Sequence, residues 1–202
     1  MIRALYITHP QVEIDPDVAV PQWGLSSVGR DRAQHFAQRN LLPSSAQIFS
    51  SAERKAIELA HIIGAPLGAE IISHASMDEN DRSATGFLAG PLFEEHANQF
   101  FAHPDQSVAG WERAVDAQAR IVSAIRTAIA FAEPDRSLIF CGHGGVGTLL
   151  KCHLGRLPIS RSQDQQYLGV TGGGNCFIFD PHAETLESDW MAMESLPASW
   201  TE

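Results

Sequence analysis

The sequence predicts an α/β fold, a three-layer sandwich in which a mostly parallel central sheet carries helices on both faces and a lid insertion. Short apolar runs alternate along the chain with longer amphipathic segments, which is the pattern of strands and of the helices that cover them. Two of these apolar runs end in a histidine. Because parallel strands end at one edge of such a sheet, both histidines are expected at the edge where ligands bind.

Each element is predicted from its apolar pattern and, where one is present, from an end signal. The candidate strands are Arg3 to Thr8, Ala46 to Phe49, Glu70 to Ser73, Ser137 to Gly142, Cys176 to Asp180 and about Glu184 to Trp190. The candidate helices are Ser27 to Gln38, Ala52 to Ile63, Leu92 to Phe101, Val108 to Phe131 and Val146 to Leu154. Ser27 or Ser51 can cap a following helix, Gly64 and Gly155 follow helical runs, and Pro104 stops one.

The segment from Asp81 to Gly110 departs from the strand–helix rhythm. It is rich in Gly, Pro and Phe, and no Lys or Arg occurs between Arg82 and Arg113. We interpret residues 81–110 as an insertion over the top of the sheet and therefore as a lid. The whole chain, residues 1–202, is expected to form a single domain, as its length suggests.

Composition narrows the classes of function. The formal net charge of −10 disfavours a broad nucleic-acid or anionic-membrane surface, so a bound anion must be held by a local cluster of cations. The chain shows no signal-peptide pattern and no apolar segment of about 18 residues, so we expect a cytoplasmic protein. Cys141, Cys152 and Cys176 lack CxxC spacing and are interpreted as small buried hydrophobic residues.

The two histidines follow similar apolar runs, in ALYITHP (residues 4–10) and in SLIFCGHGGVGTLL (residues 137–150). Pro10 favours extended geometry in the residue before it, so His9 should continue the strand. The glycines around His143 let the backbone approach a ligand near the start of a helix. Either histidine alone is more typical of a structural residue, but the two equivalent positions together indicate function.

Residues 142–147 also match the dinucleotide pattern GxGxxG. That pattern normally opens a fold, whereas only about two strands follow it here. Nucleotide binding is therefore kept as a minor alternative.

A third stretch, FSSAERKAIELA (residues 49–60), places Arg54 and Lys55 in the first turn of a helix. Cations are unfavourable there unless an anion or a carboxylate offsets them. A bound anion is one explanation. A solvated first turn compensated by Glu53 is the other.

Together these blocks resemble the histidine phosphatase superfamily, the phosphoglycerate-mutase-like proteins. WGLSSVGRDRA (residues 23–33) is similar to the family pattern W-x-L-T/S-x-x-G-x-x-x-A, and SSAERKA (residues 50–56) to S-S-x-x-x-R-A. MDE (residues 77–79) is similar to L-x-E, and CGHGGV (residues 141–146) to the second-histidine motif. The resemblance implies that His9 is a phosphate-accepting nucleophile and that Glu79 and His143 complete the catalytic set.

Three departures from the family pattern stand out. Thr8-His9-Pro10 replaces Arg-His-Gly, which removes an arginine and exchanges a glycine for a proline, and Lys55 replaces the helix arginine, with Arg54 one step earlier. Lysine lacks the bidentate guanidinium fork. Arg82 is the candidate to supply the positive charge of the missing arginine. A surface ion pair of Arg82 with Glu79 or Asp81 explains its presence equally well. The predicted phosphate-binding residues are Arg54, Lys55, Arg82, Thr8 and Gly144.

The mechanism that the resemblance implies sets expectations for protonation. Lys55, Arg54 and a protonated His143 would keep His9 neutral for attack on phosphorus. A carboxyl group with a raised pKa would protonate the leaving alkoxide, and Glu79 holds the family position for it, with Asp81 as the alternative.

The sequence thus predicts a metal-independent phosphomonoesterase, a histidine-type acid phosphatase or phosphohydrolase, acting through phosphohistidine on a small phosphorylated metabolite. No cofactor, metal, nucleic-acid or membrane partner is expected, and a homodimer is left open. Five aromatic residues around the insertion favour an uncharged or aromatic leaving group over a second phosphate, so mutase activity is disfavoured: Phe87, Phe93, Phe100, Phe101 and Trp111. A catalytically weakened phosphate-ligand-binding or regulatory protein of the same fold is the alternative.

Overall fold

A seven-stranded sheet organises residues 2–201, the part of the chain that the computed structural model describes. The strands are β1 Ala4–Thr8, β2 Gln47–Ser51, β3 Ile71–His74, β4 Leu138–Gly142, β5 Asn175–Asp180, β6 Thr185–Leu186 and β7 Met191–Ala192. Their order is β3-β2-β4-β1-β5-β6, and β7 also pairs with β5. Strands β3, β2, β4 and β1 run parallel and β5 runs antiparallel to β1, which confirms a mostly parallel sheet.

Six α-helices accompany the sheet in these residues. They are α1 Ser27–Gln38, α2 Arg54–Gly64, α3 Gly90–Ala102, α4 Ala114–Phe131, α5 Gly144–Leu154 and α6 Gln165–Leu168. Side chains alternate between the faces of a strand, and β1 shows the result. Leu5 packs in one buried cluster with residues of α1 and α2, whereas Tyr6 packs in the other with residues of α3, α4 and α5. Helices therefore cover both faces, as predicted.

Two local predictions were wrong and one helix was not predicted, each for a physical reason. The long helix begins at Ala114 rather than Val108, because Ala109 and Gly110 have positive φ angles that a right-handed helix does not contain. The last strand is split into β6 and β7, because the N–H groups of Glu187 and Ser188 both donate to the Ile178 carbonyl and so interrupt the ladder. Helix α6 has four residues, too few to show a helical period in the sequence.

The predicted insertion, residues 81–110, contains α3 and part of an aromatic cluster. Phe100, Phe101 and Trp111 are buried in the core cluster on the α4 face. Phe87 is 37% exposed, and its ring centroid lies 5.2 Å from that of Trp23. Most of these aromatic residues therefore pack the insertion against the core. Its action as a lid stays a prediction.

All three cysteines are free and buried, as the sequence analysis expected. No helix in residues 2–201 combines the length and the apolar character needed to cross a membrane.

The centre of the sheet should dominate stability. Phe140, on β4, is fully buried and stacks between Phe49 and Phe179, with ring centroids 5.4 and 6.0 Å away. We expect Phe140→Ala to lower the free energy of unfolding by about 3–5 kcal/mol, measured by urea denaturation. The matched control is Phe131→Ala, at an 83% exposed position, which should change it by less than about 0.5 kcal/mol. Equal losses in both variants would contradict this packing.

Candidate active site

His9 continues the direction of β1 beyond its last residue. Its N–H donates to the Gly142 carbonyl at 3.0 Å, and its carbonyl accepts from the Gly174 N–H at 3.1 Å. The extended geometry predicted from Pro10 is therefore present. The ring Nδ1 lies 2.9 Å from the Pro10 carbonyl oxygen, which can only accept, so Nδ1 carries the hydrogen. The lone pair of Nε2 is then available to attack an electrophile.

His143 follows β4 at the start of α5 and is fully buried, with its ring centroid 5.2 Å from that of His9. The Tyr6 hydroxyl holds its backbone, because it donates to the His143 carbonyl and accepts from the His143 N–H, both at 3.1 Å. A Cβ at Gly142 would lie 2.3 Å from this hydroxyl oxygen. Only glycine permits the approach, so the glycine before the second histidine has a packing reason.

The hydrogen bonds around Ser51 fix the protonation of the His143 ring. Ser51 Oγ lies 2.7 Å from Asp78 Oδ1 and 2.7 Å from His143 Nε2. Because the Asp78 carboxylate can only accept, the hydroxyl hydrogen points to it and Nε2 must donate to Ser51. Nδ1 is then an acceptor, and it is buried without a hydrogen-bond partner within residues 2–201. A proton brought by a ligand would satisfy it.

Burial controls the pKa values of both histidines. His9 is half-buried, and burial is the largest cause of its shift; together with the nearby His143 it lowers the pKa of His9 to about 3. Burial also lowers the pKa of His143, although Glu53 and Glu79 oppose the shift. Both rings are thus neutral at pH 7. The expectation of a protonated His143 was wrong for the free protein, because burial outweighs the carboxylates.

Lys55 is buried and forms an ion pair with the buried carboxylate of Glu53. Its ammonium also donates to the Val20 carbonyl at 2.8 Å. Burial acts to raise the pKa of Glu53, but His143 and Lys55 outweigh it and lower this pKa to about 2. The Glu53 carboxylate does offset the charge of Lys55, as the second explanation in the sequence analysis proposed. The pair is buried, however, and does not lie in a solvated turn.

Arg54 lies outside this cluster. Its side chain is 58% exposed and pairs with Glu58, with Nε 2.9 Å from Oε1. Arg54 is therefore not part of the candidate site, and its predicted role as a phosphate ligand is not supported. Lys55 is part of the site.

Glu79 accepts hydrogen bonds at the start of α5. Its carboxylate receives the Gly145 and Val146 N–H groups at 3.0 and 2.9 Å. Burial acts to raise its pKa, but Arg82, His143 and these two N–H groups lower the pKa of Glu79 below the ordinary value. The expectation of a raised pKa was wrong, because a carboxylate that receives N–H donors is stabilised in its charged form.

The other acidic residues of this loop have different places. Asp78 accepts from the Ser51 hydroxyl and, at 2.7 Å, from the Ala52 N–H, so it supports the second histidine. Asp81 is exposed, and its carboxylate accepts from the Ser83 N–H at 2.8 Å. The alternative acid of the sequence analysis therefore faces solvent rather than the histidines.

Arg82 lies beside Phe93 and Trp111, with its guanidinium carbon 5.2 and 5.6 Å from the two ring centroids. Its charge is the first of the influences that lower the pKa of Glu79. Within the described residues it forms no ion pair with Glu79 or Asp81, so the surface-pair explanation was wrong.

Thr8 directly precedes His9, and Gly144 directly follows His143. Gln165, which the sequence analysis missed, lies against both Thr8 and Gly144. Thr8 is buried, and its hydroxyl lies 2.9 Å from Gln165 Oε1. Gly144 is the first residue of α5, and a Cβ there would lie 2.2 Å from Gln165 Nε2. No sequence signal marked Gln165, because it lies in the unpredicted helix α6.

Comparison with known proteins places this geometry in a family. The model of the histidine phosphatase superfamily (branch 1) matches residues 14–186. The chain belongs to the histidine phosphatase superfamily. Since the match begins at residue 14, His9 and its neighbours lie ahead of it and are placed by the structure alone. The search of curated proteins found no match.

Solved structures of this superfamily share the fold. Bacillus stearothermophilus YhfR superposes with a TM-score of 0.76 at 17% identity, over 93% of this chain and 95% of that one. The mycobacterial glucosyl-3-phosphoglycerate phosphatase gives 0.74 at 21% identity, over 95% and 99%. Its complex with inorganic phosphate gives 0.70 at 22% identity, over 94% of each chain. Superfamily membership supports classification as a phosphohydrolase.

No group of three or more His, Cys, Asp or Glu residues within residues 2–201 is arranged to hold a metal ion.

The buried ion pair predicts a pH-dependent contribution to stability. Because folding lowers the pKa of Glu53 from 4.5 to about 2, its contribution is complete above about pH 4.5 and is lost as the pH falls towards 2. We expect Glu53→Gln to lower the free energy of unfolding by about 3–5 kcal/mol at pH 7, since Lys55 is left unpaired. Urea denaturation should show this gap narrowing below pH 4.5.

The matched control is Glu70→Gln, at an exposed position, which should stay within about 0.5 kcal/mol of the wild type at pH 7. A pH-independent gap for Glu53→Gln would show that the lost interaction is not this charge pair.

Proposed function

We propose that this protein is a metal-independent phosphomonoesterase that acts through a phosphohistidine intermediate on a small phosphorylated metabolite. The arrangement of His9 carries the proposal: a neutral imidazole, with Nδ1 held by the Pro10 carbonyl, lies beside His143 at the sheet edge. The superfamily match supports phosphatase chemistry. The neighbouring mycobacterial phosphatase has been solved with phosphate and with VO3, which agrees with a phosphate-sized ligand for this fold.

In the first step, Nε2 of His9 attacks phosphorus. The N–P bond forms as the P–O bond to the leaving group breaks, and the leaving oxygen takes the electron pair. Lys55 and Arg82 supply positive charge for the phosphoryl oxygens. In the second step water attacks phosphorus, the N–P bond breaks and phosphate is released.

Glu79 and His143 handle the protons of both steps. Glu79 is ionised at neutral pH, which suits it to accept a proton from the attacking water. The leaving alcohol needs a proton in the first step. A phosphate dianion beside the two residues raises the pKa values of both, so binding is accompanied by proton uptake at Glu79 or at the unpartnered Nδ1 of His143.

The leaving group that this site favours is uncharged or aromatic. The insertion contributes no Lys or Arg between Arg82 and Arg113, whereas Phe87 and Trp23 form a partly exposed edge-to-face pair. Recognition of a second phosphate, as mutase chemistry requires, has no corresponding cation there.

A phosphate-binding or regulatory protein with weak turnover is the second candidate. The Glu53–Lys55 pair favours it, because the carboxylate already neutralises the cation that would stabilise the transferring phosphoryl group.

The first test is hydrolysis of p-nitrophenyl phosphate in the presence of EDTA. We expect wild-type turnover to persist with the chelator, and His9→Ala to lower kcat by about 10³-fold or more because the nucleophile is lost. The matched control is His61→Ala, at an exposed position on α2, which should leave turnover unchanged. Equal turnover in wild type and His9→Ala would reject the mechanism. Phosphate binding without turnover in the wild type would favour the second candidate.

The second test separates the acid role of Glu79 from a structural role. We expect Glu79→Gln to lower kcat/KM for an alkyl phosphate by about 10²–10⁴-fold, and for p-nitrophenyl phosphate by much less, because p-nitrophenolate leaves without a proton. The parameter kcat/KM is used because it reports the steps up to departure of the leaving group.

Asp81→Asn is the matched control, and it should affect both substrates little. A leaving-group dependence in Asp81→Asn instead of Glu79→Gln would assign the acid to Asp81.

A further inference from the structure

The candidate site is short of free phosphate donors. Position 8 carries a threonine whose hydroxyl is already engaged, and the Lys55 ammonium is paired with Glu53. We propose that the side-chain amide nitrogen of Gln165 binds a phosphoryl oxygen and supplies the donor that an arginine at position 8 would have provided. This inference deepens the proposed function and rests on it for the nature of the ligand.

Gln165 bridges the two histidine motifs. Its Oε1 lies 2.9 Å from the hydroxyl of Thr8, which directly precedes His9. Its Nε2 lies against Gly144, which directly follows His143, so closely that a Cβ on Gly144 would come within 2.2 Å. The amide oxygen therefore lies next to the first histidine motif, and the amide nitrogen next to the second.

A chain of hydrogen bonds decides which end of the Gln165 amide faces Gly144. The Val170 backbone fixes the neighbouring Asn175, because Oδ1 accepts from the Val170 N–H at 2.8 Å and Nδ2 donates to the Val170 carbonyl at 2.9 Å. Asn175 Nδ2 also donates to Gln165 Oε1 at 3.0 Å. Since Oε1 must be the acceptor, the NH2 group is the end turned towards Gly144.

The amide nitrogen is free to bind a ligand. Within residues 2–201, Nε2 of Gln165 donates to no hydrogen-bond acceptor, whereas Oε1 accepts from two donors. The side chain is thus oriented by its oxygen and unused at its nitrogen. The amide is a neutral donor, and its hydrogen bond to a charged phosphate oxygen strengthens phosphate binding. It adds no further cation to the site, which already contains the buried Glu53–Lys55 pair.

The test is the affinity for inorganic phosphate, measured by isothermal titration calorimetry at pH 7.5 and pH 5. We expect Gln165→Ala to weaken phosphate binding by about tenfold at pH 7.5, the scale of one hydrogen bond to a charged group. Gln165→Glu should weaken it further, because a carboxylate cannot donate and repels the anion. Relative to wild type at the same pH, this loss should shrink several-fold at pH 5, since a protonated carboxyl group donates again.

Gln34→Glu is the matched control, because Gln34 is exposed on α1, and it should bind phosphate like the wild type at both pH values. Thermal unfolding checks that the variants are folded, and the recovery of Gln165→Glu at pH 5 is a signature that misfolding does not produce.

Two results would overturn the inference: phosphate affinity in Gln165→Ala equal to that of the wild type, or no phosphate binding by the wild type. Wild-type hydrolysis of p-nitrophenyl phosphate separates the two proposals. Turnover with unchanged affinity in Gln165→Ala would reject the role of Gln165 alone. Weakened phosphate affinity in Gln165→Ala, with no turnover by the wild type, would reject the phosphomonoesterase activity and keep Gln165 as a phosphate donor.

Discussion

The parallel pairing of β1 with β4 is the constraint on which the site depends. Its register sets Thr8 opposite Gly142, and the next hydrogen bond, from the His9 N–H to the Gly142 carbonyl, brings the two histidine motifs level. Tyr6, two residues before Thr8, then reaches across to hold the backbone of His143. A slip of one residue would turn Tyr6 to the other face of the sheet and remove this support.

Burial of the polar side chains explains the charge state of the site. In a poorly solvated environment an unpaired charge is costly, so the imidazoles are neutral, Lys55 has a carboxylate partner, and Glu79 is held by backbone N–H groups. The resting site therefore has little net positive charge of its own. Binding of an anion must therefore be accompanied by proton uptake at the site. Anion affinity should depend on pH more strongly here than in a site built from several arginines, whose charge does not change with pH.

The sequence predicted the features that depend on strand direction and on local pattern. Two apolar runs ending in histidine were enough to place His9 and His143 at one edge, because parallel strands share their carboxyl end, and α1 has the predicted bounds. What it could not predict depends on burial and on distant partners. Whether Arg54 or Lys55 faces inward depends on where α2 begins, and the protonation of His143 depends on the surrounding packing. Gln165 contacts Thr8 across more than 150 residues of sequence.

The glycines on either side of His143 have a consequence for how the chain is compared with other proteins. A Cβ at each would come too close to a neighbouring side chain: Tyr6 at Gly142, Gln165 at Gly144, Glu79 at Gly145, and Tyr6 with Trp190 at Gly147. The spacing that resembles a dinucleotide fingerprint thus has an internal packing reason at each of its glycines. The glycines in the first turn of α5 let Gln165, Glu79 and Tyr6 lie close to the helix backbone. A methyl group added at any of them would change the distance between the second histidine motif and these side chains.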